Sequence, residues 1–361
     1  MEARIADIIY ASFPEWFNGK MSNRRVTLGD VASEAGVSVG TASDALSGRG
    51  RMADATRTSV RDAAQRLGYR ANALARGLRT GRTHALGLHL LHLADYFDTE
   101  YFRELVAGVM EVAVRYDYDL NLLSSNPERR RVAAPKVDGI IIPDPIATDA
   151  RAVELLQSAI PVVAGERLPP GMPAAPVIGI DHESALAELL DHAYATGARH
   201  PVLFAADEQS GWGMVLRDAF ARWCAGRGVP ARHCSTPFED RRFADDGGER
   251  LSFLLEREGA VDLVIVPGEH AALATLELVR KAGRTVGRDI MLAACADAQL
   301  LRMCDPPVTA ISLSPRFVGA ACAEALVNYL DHGTPIEDLT LLPSELVRRS
   351  STATLEAHSC P

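Results

Sequence analysis

Two spacings in this chain could do chemistry directly, and a third feature could neutralise charge. Gly36-Val37-Ser38-Val39-Gly40 spells G-x-S-x-G, the nucleophile elbow of hydrolases, which needs a strand before the serine and a helix after it. The residues before it, Thr27 to Ala35, carry a helical pattern instead, so the chain is not read as an enzyme. His89 and His92 form H-x-x-H in an apolar, strand-like run, where residues three apart face opposite sides. They read as core or edge histidines, and no metal or other cofactor is expected. The third feature is arginine: residues 21–84 hold 11 Arg against 5 acidic residues, in a chain of net charge −9. A basic segment on an acidic body suits a phosphate backbone, whose neutralisation releases counterions. A solvated, arginine-rich face is the alternative, since arginine is preferred to lysine throughout.

The elements that would position these residues are short helices. Thr27 followed by Asp30 is a helix-start signature, the hydroxyl taking an orphan N–H of the first turn. Val31, Ala32 and Ala35 supply an apolar face, and Gly36 ends the helix. Ser38 then caps a second helix over Val39–Ser47, which gives two helices joined by a tight glycine turn, a helix-turn-helix. A third helix is predicted over Thr56–Leu67, with Val60, Ala63, Ala64 and Leu67 on one face and Gly68 as its stop. The second helix would read base edges from its N-terminal end.

At 361 residues the chain can hold this head and a larger body. Its six cysteines, Cys224, Cys234, Cys295, Cys304, Cys322 and Cys360, show neither C-x-x-C nor metal spacing, which suits a reducing, cytoplasmic compartment. No apolar run reaches the roughly 18–20 residues of a membrane span. Residues 1–20 read as an upstream extension before Met21, the competing reading being an amphipathic partner-binding helix interrupted at Pro14. The acid-rich stretch Glu239–Glu249 reads as a solvated loop.

From His84 the pattern changes to apolar runs separated by helical segments. HALGLHLL, YDLNLLSS, VDGIIIP, IPVVAGE, HPVLFAA, DLVIVPG and DIMLAAC are the strand candidates, and their spacing predicts parallel βαβ units with helices on both faces. These runs alone fit either one long sheet or two lobes.

The run VTLGDVASEAGVSVGTASDALSG, then DATRTSVRDAAQRLGYRANALARGLRTGRTHALGL, resembles the head and hinge of the lactose-repressor (LacI) family of bacterial transcription regulators. The resemblance implies an N-terminal all-α helix-turn-helix head with a hinge helix, then an α/β two-lobed body like periplasmic binding proteins, with three crossovers and a ligand cleft. Implied boundaries are an extension over 1–24, the head over 25–70, the hinge over 71–83, the body over 84–354 and a tail over 355–361. The first lobe would take about 84–180 and 313–332, the second about 183–310 and a strand near 339–351. The stretch from Asn126 to Lys136 is shorter than the family pattern. Implied partners are a double-stranded, pseudo-palindromic DNA operator, a small-molecule effector and a second copy of the chain, with no membrane.

The resemblance also implies roles. Val39, Gly40 and Asp44 sit where the recognition helix meets bases, while Thr27, Ser38, Thr41 and Ser43 belong to the phosphate-contacting or buttressing face. Asn72–Leu78 matches the hinge helix, with Ala75 in the minor groove and Leu78 as a wedge between base pairs. Asp44 stands where many members carry Arg; it cannot bind guanine bidentately, but it can accept from cytosine N4. Gly40 offers only backbone, so Val39 becomes the main apolar reader. Ala53 replaces the usual capping Ser or Thr of the third helix, a change worth about 1 kcal/mol.

In the body, the family's sugar-contacting Asn-Asp position reads Gly268-Glu269, its Asp-Asp position reads Ala296-Asp297, and its Arg falls on Leu216, with Arg217 one residue off. What remains is a mixed pocket of Tyr96, Tyr101, Phe102, Asp181, Trp212, Arg217, Glu269, Asp297 and Gln299. The expected effector is a modified carbohydrate or a non-sugar metabolite. The alternatives are a metabolite-binding protein with a vestigial, sequence-blind head, an activator, or a repressor without an effector.

Overall fold

Capping and turn residues lay out the start of the chain. The computed structural model describes residues 26–47, 50–69, 81–91, 98–124, 135–206, 209–236, 243–257 and 261–355. The chain divides into two units, Met1–Gly81 and Arg82–Pro361.

In the first unit, α1 (Leu28–Glu34) starts with a reciprocal cap. Asp30 N donates to Thr27 Oγ1 at 3.3 Å while Thr27 N donates to Asp30 Oδ2 at 2.8 Å, satisfying two groups that a helix start leaves orphaned. Gly36 turns the chain at φ +67°, which a side chain would resist. Helix α2 (Val39–Ser47) follows, with Thr41 N donating to Ser38 Oγ at 3.1 Å. Helix α3 (Asp54–Arg66) begins two residues before the expected Thr56, because Asp54 favours the positive end of the helix dipole. Ala53 precedes it with no side-chain cap. Val31, Ala42, Ala45, Val60 and Ala63 close a small common core with no exposure at all.

The second unit holds two sheets. The first contains β1 (Ala85–Leu90), β2 (Asp119–Ser124), β3 (Gly139–Ile142), β4 (Val162–Ala164), β5 (Val177–Ile180) and β11 (Leu339–Leu342), in the order β11-β5-β4-β3-β1-β2 and parallel throughout. The second contains β6 (Pro201–Ala206), β7 (Arg232–Thr236), β8 (Leu263–Val266), β9 (Met291–Ala294), β10 (Thr309–Ser312) and β12 (Glu345–Val347), in the order β12-β10-β9-β8-β6-β7, with only β12 antiparallel. Val- and Ile-rich runs such as GIII and LVIV are buried on both faces, as parallel strands between helices must be.

Helices α4 (Glu100–Arg115), α5 (Ala150–Leu156) and α11 (Pro315–His332) accompany the first sheet. Helices α6 (His182–Ala195), α7 (Gly211–Arg227), α8 (Phe243–Arg257), α9 (Glu269–Lys281) and α10 (Gln299–Met303) accompany the second. The chain crosses between lobes three times, from Ile180 to His182, from Ser312 to Pro315 and from Leu342 to Glu345. The expected placement of 339–351 in the second lobe is therefore corrected. Leu339–Leu342 pairs with β5 of the first sheet, and only after Pro343-Ser344 does the chain reach the second.

Two features fix the first lobe. Helices α4 and α11 touch backbone to backbone: a Cβ on Gly108 would collide with Arg316 O, and one on Gly319 with Leu105 O. At the lobe's entry, Thr83 N and His84 N donate to the Asp138 carboxylate at 2.6 and 2.9 Å, and Arg82 pairs with Asp331 at 2.6 Å. The first residues of the second unit are thus fastened to its fold.

Candidate functional site

In the first unit, the exposed surface is built at the start of α2. Ala42 and Ala45 point into the core, which turns Val39, 53% exposed, and Gly40 outward. Thr41 and Ser43 are half-buried, and Ser38 Oγ lies 2.9 Å from Thr41 Oγ1. The serine of the G-x-S-x-G string is thus a helix cap following a helix, not a nucleophile on a strand. Asp44 is half-buried beside Gly50, where a methyl group would stand 3.5 Å from Asp44 Oδ2. Thr27 donates its hydroxyl to Asp30 Oδ2 at 2.7 Å, so its polar atoms serve its own helix. Asn72, Ala75 and Leu78 lie outside the described residues.

In the second unit, the parallel strands of both sheets end towards the contacts between the lobes, where open α/β sheets bind ligands. On one side, Asp144 follows β3, Glu166 follows β4, His182 opens α6 and Trp212 opens α7. His182 Nε2 and Glu166 Oε1 meet at 2.8 Å across the lobes, with residue exposures of 2% and 4%. The His182 and Trp212 rings stand 6.3 Å apart. Burial and then Glu166 push the Asp144 carboxyl up, and burial, then Glu166 and Asp144, push the Tyr101 phenol up. Close approach of α7 requires Gly211, because a Cβ there would strike Arg167 O. Ile146 and Ser210 add a short antiparallel bridge between the lobes.

On the other side, Glu100 N donates to Glu269 Oε1 at 3.2 Å and Gln299 N donates to Glu100 Oε2 at 2.6 Å. An open pocket of about 510 Å³ lies here, with Glu100, Asp297, Arg302 and Ser314 among its lining residues. Asp297 is held by Arg349 through two bonds of 2.8 Å, and Arg302 approaches it at 3.3 Å.

A capped, exposed helix start on a three-helix head, followed by two parallel sheets crossed three times, is now matched by comparison with known proteins. Residues 27–72 match the family "Bacterial regulatory proteins, lacI family", and residues 190–352 match "Periplasmic binding protein-like domain". Its head is a lacI-family domain of bacterial regulatory proteins. The chain is 26% identical to catabolite control protein A of Priestia megaterium, over 91% of this chain and 99% of that one. It is 25% identical to the maltose regulon regulatory protein MalI of Escherichia coli (strain K12), over 90% and 98%. Among solved structures, the Lac repressor dimer bound to operator and the anti-inducer ONPF matches with TM-score 0.77 and 23% identity, covering 91% of this chain and all of that one. The CelR–cellobiose complex matches with TM-score 0.67 and 24% identity over the same shares.

With a lacI-type helix-turn-helix and a periplasmic-binding-protein-like body, the chain is a transcriptional regulator with a DNA-binding head and an effector-binding body. Its predicted cleft residues divide sharply. Tyr101 and Trp212 belong to the interlobe cluster, and Phe102 stacks edge-on to Tyr101 at 5.0 Å while packing on the core. Glu269 faces the other lobe through Glu100. Asp181 is spent on capping α6, taking Ser184 N at 3.1 Å and Ser184 Oγ at 2.7 Å, and that serine lowers its carboxyl. Leu216 is core, and Arg217 donates to Ala206 O at 3.0 Å. Asp297 is closed by Arg349, and Gln299 contributes its backbone N–H. Tyr96 and His92 lie outside the described residues, while His89 is a buried partner of Asp149 at 2.6 Å. Sequence reasoning missed Asp144, Glu166 and His182. Their signal is an acid directly after a strand run, in IIIPD and VVAGE, and a histidine at the first crossing.

Among the described residues, no group of three or more His, Cys, Asp or Glu side chains could hold a metal, and no helix is long and apolar enough to cross a membrane.

Proposed function

We propose that the protein is a cytoplasmic, homodimeric repressor that binds a pseudo-palindromic DNA operator and is released by a small molecule taken up between the lobes. The exposed start of α2, with Val39 and Gly40 outward behind the Ser38 cap, carries the DNA reading. A recognition helix enters the major groove by this end. The DNA- and ligand-bound Lac repressor dimer of like fold supports the pairing of operator and effector. Met110, Val114 and Leu122 on the first lobe, with Leu273, Leu300 and Met303 on the second, are exposed apolar side chains suited to a second copy of the chain. Asn72–Leu78 would form the hinge helix on DNA, Leu78 wedging the central step. Effector and operator would then favour different states of the first lobe, a coupling that is reciprocal in binding free energy.

Selection of bound sites from random duplex DNA, at two salt concentrations, tests this reading. A symmetric site with a kinkable centre is the expected result. Sequence-blind binding that vanishes as salt rises would instead leave a metabolite-binding protein with a non-specific head.

A further inference from the structure

The interlobe cluster holds buried polar atoms with no protein partner. They are Asp144 Oδ1, His182 Nδ1 and Trp212 Nε1, each enclosed from solvent. His182 itself is 2% exposed, and its Nε2 faces the Glu166 carboxylate at 2.8 Å. The carboxylate selects the tautomer with the proton on Nε2, which leaves Nδ1 a lone-pair acceptor. The cluster therefore offers two unmet acceptors, one of them a carboxylate oxygen, and one unmet donor, the indole N–H. Unpaired buried polar atoms cost free energy until a ligand meets them.

The charge balance selects the ligand. Asp144 and Glu166 disfavour each other's charge, and no arginine is among the groups that act on the Asp144 carboxyl. A neutral hydroxyl would leave the Asp144 carboxyl pushed up, as burial and Glu166 hold it. A protonated amine donates and compensates at once. The Tyr101 ring beside the carboxyls and the Trp212 ring beside His182 are compatible with an organic cation.

We infer that the cleft takes a small organic cation, an amine with at least two N–H donors, held by Asp144 and His182 and presenting an acceptor to Trp212. This rests on the effector reading above and names the chemical class that reading leaves open.

Isothermal titration of the full chain tests it with two amines and their neutral counterparts: glucosamine with glucose, and ethanolamine with ethylene glycol. The expected result is an amine bound at least tenfold more tightly than its counterpart, with Asp144→Asn removing that preference. Because Asp144→Asn relieves a buried repulsion, its ligand-free Tm should equal or exceed that of the parent, which checks that it folds. Trp212→Phe should weaken glucosamine severalfold while keeping the preference for charge. Absence of amine binding, neutral counterparts binding as tightly, or a preference that survives Asp144→Asn would overturn the inference. Glucose that binds and releases operator DNA would overturn the cation and leave the effector reading standing. An amine that binds with the stated preference but leaves operator affinity unchanged would support the cation and count against the effector reading.

Discussion

Arg349 and Asp297 lock the segment after β12 to the loop after β9 through two parallel N–H···O bonds of 2.8 Å, both side chains exposed by one-tenth or less. Breaking such a pair by removing one partner strands a buried charge, at a cost of about 3–5 kcal/mol. Arg349→Met, which leaves Asp297 only the exposed Arg302, should lower denaturant stability by that order. A loss under about 1 kcal/mol, the value of a surface pair, would mean that the pair does not hold the lobe together.

The α4–α11 contact should be equally sensitive to volume. Gly108→Ala places a methyl on the Arg316 carbonyl, and backbone cannot give way as a side-chain tip can. Overpacking of this kind costs about 1–3 kcal/mol, read as a lower Tm.

In the head, Thr27→Ala removes the α1 cap and Ala53→Ser adds one that α3 lacks. Each change is worth about 1 kcal/mol, of opposite sign. Hydrogen exchange should become faster along α1 in the first variant and slower at Ala55 and Thr56 in the second.

Glu269 sets a pH dependence. Burial raises its carboxyl, Glu100 adds to this, and His270, Arg103 and the Glu100 N–H oppose it. A carboxyl raised on folding stabilises fully below its unfolded value of 4.5 and loses that contribution as pH rises through the folded value. Glu269→Gln, whose carbonyl still accepts from Glu100 N, should therefore melt higher than the parent at pH 8 and together with it near pH 4. A gap of equal size at both pH values would rule out the carboxyl as its source.

For base reading, Val39→Ala should flatten preference at one position, seen as a loss of information there in site selection. Asp44→Ala should relax a preference for cytosine. If site selection with that variant returns an unchanged motif, Asp44 serves the Gly50 turn beside it and reads nothing.

How far the sequence was legible follows from range. The head was readable almost whole, because Thr27-x-x-Asp30, Gly36 and Ser38 act within a few residues of themselves. Parallel strands such as GIII and LVIV were readable because burial on both faces leaves a continuous apolar run. The lobe of strand β11 is not legible, since its half-exposed residues give no such run and its partner β5 lies far back in the chain. In the cleft, Tyr101 and Trp212 stand in the interlobe cluster, whereas Asp297 is paired with Arg349, fifty-two positions away. Nothing local announces such a pairing. Asp144 and Glu166 were within reach of the rule that ligands gather at strand C-termini.

The three crossings also bear on how the chain is made. The first lobe begins at Ala85 but lacks its edge strand until Leu342 is added, and it lacks α11 until most of the second lobe has been synthesised. The lobes are consequently not successive units on the ribosome; both reach completion together, within the last stretch that brings β11 and β12 into place. Until then β5 and β10 present open edges that invite pairing with another chain. A polypeptide stalled or cleaved within 313–338 would keep both edges open, and its fate would be aggregation or proteolysis rather than service as a half-regulator.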